Sequence, residues 1–195
     1  MRKLIIAFVL LCSACSSAYS QYYFGVGYLM NRQGAENGAS TASFANGISI
    51  GASRVCRIGR GWDFVPGMYF SASAGQEPYR LWDDIVLDQK SYQELSLEMP
   101  LHLAWGHSLS SSSSFFLFGG PTLQAGLVSK ITDNGQSRYS DGGGLRRINA
   151  FACAGAGVTI QRISFSVGYH YGLFAPYQNR TMTSSLLHCM VSFRL

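Results

Sequence analysis

The chain has 195 residues, a net charge of +5, 13% charged residues, 13% aromatics and 22 glycines. Its Lys and Arg never form a run, so nothing points to nucleic acid as a partner. No segment past the N-terminus reaches the roughly 18 apolar residues of a transmembrane helix, which leaves a soluble β-protein or a membrane β-barrel.

The N-terminus comes first in chain order. Arg2 and Lys3 precede the apolar run Leu4 to Cys12, and small residues follow up to Ala18-Tyr19-Ser20. A positive start, a short apolar stretch and a small-residue cleavage site predict a secretory signal peptide over 1–20, cleaved after Ser20. A lipoprotein signal fits less well: Cys12 follows a leucine, and Cys15 lacks an aliphatic residue three places earlier. Loss of Arg2 and Lys3 lowers the net charge from +5 to +3. Residues 21–195 are then expected to form one domain.

That domain reads as strands separated by turn residues, with no helical periodicity. Strands are predicted at 22–30, 43–54, 62–74, 91–106, 115–129, 148–160, 163–174 and 183–195. Each reaches the ~9–11 residues that a tilted membrane strand requires. Connections alternate in length. CRIGRG, the serine-rich stretch from His107 to Ser114, and Gln161-Arg162 are short. NRQGAENGAST, GQEPYRLWDDIVLDQK, KITDNGQSRYSDGGG and APYQNRTM are mostly longer and polar. Short periplasmic turns and long outer loops are the habit of a bacterial barrel.

Alternation is the strongest signal. Along the fourth predicted strand Leu95, Leu97, Met99, Leu101, Leu103 and Trp105 share one face, opposite Glu94, Ser96, Glu98, Pro100, His102 and Ala104. The sixth, seventh and eighth strands repeat the pattern, with Gly, Ser and a few ionisable groups on the second face. A soluble sandwich would turn the apolar face into its core; a membrane barrel turns it to lipid. The second face carries no coat of Lys and Glu, which favours lipid. Tyr22, Tyr23, Trp62, Trp105, Tyr171 and Tyr177 fall near strand ends, as an interfacial girdle would. The expected fold is all-β: an eight-stranded antiparallel up-and-down transmembrane barrel in the outer membrane. Side chains should fill its interior, so no open pore is expected.

The stretch LSLEMPLHLAWG followed by FFLFGGPTLQAGL resembles the PorT-like outer membrane β-barrel family of Bacteroidota. GAGVTIQRISFSVGYHYGL and the closing LLHCMVSFRL are similar to that family's last three strands. The resemblance implies a single-domain small barrel of the outer membrane, in contact with its lipid. Its name-giving member belongs to a secretion system, so envelope or secretion-system proteins are the implied partners.

The remaining chemistry is sparse. Cys56, Cys153 and Cys189 are an odd set with no C-x-x-C spacing, so neither a complete disulfide framework nor a metal site is expected. Gly25-Val26-Gly27 and the run Gly142 to Gly144 lack the strand–helix setting of a nucleotide site, and no cofactor is expected. Glu94, Glu98, His102, His170, His188 and Arg194 all face the interior and form a candidate lumen network. Carboxylates with histidines could do acid–base work, yet a barrel also fills its lumen with paired charges because a buried ion must be compensated. Glu94 and Glu98 stand about 13 Å apart along one strand, too far for a carboxylate dyad. No serine lies two residues from a histidine on a shared strand face. The expected function is therefore non-enzymatic, with loops contacting a partner. The alternatives are a lipid-modifying barrel enzyme and a soluble periplasmic lipocalin-like binder.

Overall fold

The alternating pattern folds into antiparallel strands that close on themselves. The computed structural model describes residues 20–34, 43–81, 85–133, 136–139, 148–174 and 183–195. In chain order the strands are β1 (Gln21–Gly34), β2 (Ser43–Gly59), β3 (Trp62–Leu81), β4 (Ile85–Ser108), β5 (Ser113–Asp133), β6 (Gln136–Tyr139), β7 (Ile148–Ile160), β8 (Ile163–Gly172) and β9 (Thr183–Arg194). Each wall strand pairs with its sequence neighbour, and β1 pairs with β9, so eight strands make a closed antiparallel barrel. β6 is a short return strand that, among the described residues, pairs with the far end of β5. The expected leader, apart from Ser20, lies outside the described residues, as do Tyr177 and the Gly142 to Gly144 run.

Register fixes the shape. A walk across paired residues from Cys56 on β2 passes through Phe64, Leu103, Gly119, Ala154, Tyr169, Leu187 and Met30, and returns to β2 at Asn46, ten residues along. A stagger of that size over eight strands corresponds to a strand tilt of about 40°. Closure leaves no sheet edge in the wall, the condition for putting a sheet in hydrocarbon.

Turn chemistry sets one end. Arg60 and Gly61 both have positive φ (53° and 83°) and join Gly59 to Trp62 in a two-residue hairpin. That is the primed turn geometry that suits the twist of flanking strands, and Gly61 adopts it without a Cβ penalty. The serine run becomes the β4–β5 turn, where the Ser110 hydroxyl accepts from the Ser112 and Ser113 amides at 3.2 and 3.1 Å. The Gln161 amide donates to the Ser112 carbonyl at 2.6 Å, tying this turn to its neighbour.

At the other end the structure corrects two predicted loops. GQEPYRLWDDIVLDQK is mostly strand: β3 and β4 run 20 and 24 residues and stay paired out to Leu81 and Ile85. Among the described residues pairing to β2 stops at Gln76 and pairing to β5 stops at Ser91, so residues 77–81 and 85–90 extend the β3–β4 ladder beyond both neighbours. KITDNGQSRYSDGGG contains the β5–β6 hairpin, which covers the edge of β5 beyond the start of β7. These stretches read as loops because their charge and Pro content masks a ladder that needs only backbone groups.

The outer surface is apolar around the barrel. Val26, Ile50 and Val191, partners on β1, β2 and β9, are each about half exposed (49%, 49% and 48%). Trp62 and Trp105 face each other in register on the outside of the turn end, with Tyr22 exposed nearby, and Tyr171 is exposed near the opposite end. Tyr23 departs from the expected girdle. It has the opposite parity to Tyr22 and lines the lumen.

Candidate functional site

Inside, the expectation of a filled interior meets a cavity of about 1080 Å³ in the turn half of the barrel. Its walls carry Ser53, Ser164, Ser166, Gly168 and Ser192 where a packed barrel needs larger side chains. The mouth lies between the short turns and is flanked by Ser112, Gln161 and Arg162. Toward the barrel's middle the cavity reaches Tyr69, Glu98, His102, Thr122, His170 and His188.

Three histidines from three strands meet there. The ring of His170 lies 6.3 Å from that of His102 and 5.8 Å from that of His188, centroid to centroid. His102 stacks on Phe118 at 5.3 Å, and its Nε2 bonds Thr122 Oγ1 at 3.0 Å. His170 meets the edge of Phe151, and its Nε2 lies 3.4 Å from Cys153 Sγ. His188 Nε2 bonds Ser49 Oγ at 2.9 Å. Glu98, four residues before His102 on β4, is 4% exposed and lines the same cavity. Close by in the lumen, Ser71 Oγ and Ser96 Oγ are 2.8 Å apart and Gln124 donates to Ser96.

The six sequence candidates therefore separate. Glu98, His102, His170 and His188 line one cavity. Arg194 stands at the mouth in register with Tyr23, and Glu94 faces the lumen beyond Glu98, toward the long hairpins and outside the cavity. Arg57 and Asp63, near the mouth, form an ion pair at 3.6 Å. Glu98 Oε1 and His170 Nδ1 are buried without a partner. Of the cations that line the cavity, Arg57, Arg162 and Arg194 all stand at its mouth.

Ser49, Thr122, Tyr69, Phe118 and Cys153 were missed by sequence reasoning as members of this cluster. Ser49 and His188 are 139 residues apart in sequence, so no local spacing could have found them. Their contact has the atoms of a nucleophile–base pair, but Ser49 is 1% exposed and does not border the cavity. Among the described residues no group of three or more His, Cys, Asp or Glu side chains is arranged to hold a metal ion.

A closed barrel with an apolar exterior and a polar lumen belongs in an outer membrane. The family model "Outer membrane protein beta-barrel domain" matches residues 17–175. The chain belongs to that family. As a member of the outer membrane β-barrel family it resides in the outer membrane, with its apolar band in lipid. Solved barrels of similar architecture include the attachment invasion locus protein Ail of Yersinia pestis (14% identity, TM-score 0.46, covering 90% of this chain and 99% of that one). Neisserial surface protein A is another (13%, TM-score 0.49, 89% and 97%). A third is the outer membrane enzyme PagL (12%, TM-score 0.41, 88% and 99%). Among curated proteins no sequence match is found.

Proposed function

We propose that this outer membrane barrel is a non-enzymatic protein of the PorT-like type, whose projecting hairpins contact a protein partner in the cell envelope. The observation that carries the reading is the β3–β4 hairpin. Among the described residues, 77–81 and 85–90 pair only with each other, which extends the ladder about 16 Å past the neighbouring strands. A barrel needs no such length to cross lipid, since about 9–11 residues suffice. A paired backbone outside the wall offers a rigid surface and open edges to a partner. The likeness of LSLEMPLHLAWG and the strand after it to the PorT-like pattern supports an envelope or secretion-system protein as that partner.

The test removes the hairpin. Residues 77–90 are replaced by Asn-Gly, and cross-linking on intact cells compares the two barrels after detergent extraction. The shortened protein should fold, judged by heat-dependent mobility, and lose a cross-linked partner. An unchanged set of cross-linked proteins would overturn the reading.

A further inference from the structure

We propose that the lumen cavity binds an amphipathic primary amine, with the ammonium group on the unpaired oxygen of Glu98 and the apolar body toward the mouth. Glu98 is 4% exposed, lines the cavity, and has Oε1 with no partner. His170 is also 4% exposed, lines the same cavity, and has Nδ1 with no partner. A buried carboxyl oxygen left open on the cavity wall calls for a ligand that donates to it, and an ammonium group has three donors.

Charge selects the sign. Glu98 has Glu94 beyond it and no lysine or arginine among the described residues lining the cavity except Arg57, Arg162 and Arg194 at the mouth. An anion would meet uncompensated carboxyl groups at depth, whereas a cation supplies the compensation that a buried carboxylate requires. Arg57 is already tied to Asp63, so the outer end of the ligand meets Arg162 and Arg194 and is neutral or anionic. Between the two ends the small serines leave room, and Tyr69, Pro100, Phe116, Phe118 and Met190 supply apolar and aromatic surface. Faces of aromatic rings attract cations as well as hydrocarbon. At about 1080 Å³ the space is at the upper end of small-ligand pockets. The proposal does not depend on the hairpin reading, since it concerns the opposite end of the barrel.

The experiment uses the folded full barrel in zwitterionic micelles and para-fluorophenylbutylamine as probe, followed by fluorine NMR. Para-fluorophenylbutanol and para-fluorophenylbutanoate are the neutral and anionic comparators. Micelles without protein report partition alone. The amine should bind saturably above that baseline, and the alcohol and carboxylate should not. Glu98→Gln should weaken the amine about tenfold to a hundredfold, the value of one hydrogen bond to a charged group. Glu94→Gln, which lies outside the cavity and only adds to its negative field, should weaken the amine far less than Glu98→Gln. Equal binding of amine and alcohol would overturn the proposal, as would an amine signal equal to that of protein-free micelles, which would mean a water-filled vestibule. If Glu98→Gln fails to fold, the amine–alcohol comparison decides alone.

Discussion

Ser49 Oγ on β2 and His188 Nε2 on β9 lie 2.9 Å apart, bridging over Gly27 on β1, the strand between them. A Cβ at Gly27 would stand 2.6 Å from Ser49 Oγ and closer still to the imidazole, so the bond exists because that position has no side chain. Gly27→Ala should therefore lower the stability of the barrel by about 1–3 kcal/mol, the usual cost of overpacking. At Gly106 the nearest atom to an added Cβ is 3.7 Å away, and Gly106→Ala should stay within about 0.5 kcal/mol. Urea midpoints of folding into lipid vesicles measure both. Equal effects would mean that the lumen bond carries no strain-sensitive packing.

The lipid-facing surface predicts a depth dependence. Val26 is exposed near the middle of β1 among Ile50 and Val191, whereas Tyr171 is exposed at the end of β8. Val26→Arg should cost roughly 2–4 kcal/mol and Tyr171→Arg about 0–1 kcal/mol, because the penalty falls toward the interface. The same vesicle assay reads them. Equal costs, or a larger one at Tyr171, would place the hydrocarbon elsewhere.

Orientation is testable from the two ends. In a background lacking the native cysteines, a cysteine at Asn134, between β5 and β6, should react with an impermeant thiol reagent on intact cells. One at Ser112, in the β4–β5 turn, should react only after the envelope is opened. The reverse pattern would invert the barrel.

Processing gives a fourth expectation. The order of Arg2 and Lys3, the apolar run and Ala18-Tyr19-Ser20 predicts that the envelope protein begins at Gln21. Intact-mass measurement of the purified protein checks it. A lipid-modified Cys12 or Cys15 would replace this assignment with a lipoprotein anchor.

The facing of the wall was legible residue by residue. Leu95 through Trp105 point outward and Glu94 through Ala104 inward, as alternation required, and the same holds along β7, β8 and β9. Facing is a local property, since a strand's pleat sends neighbours to opposite sides whatever lies across the sheet. Tyr23 shows the limit of composition used alone: it was assigned to the girdle for its type and position, but its parity puts it in the lumen.

What the tertiary structure decided is height. Which inward residues share a level depends on the ten-residue stagger around the closed wall, a sum over every strand pairing that no single strand reveals. That stagger brings His102, His170 and His188 together, leaves Arg194 at the mouth, and sets Ser49 against His188. The cavity has the same origin. Each serine and glycine of the lower lumen is unremarked in its own strand, and only when the register stacks them at one level do their missing volumes merge into a single space.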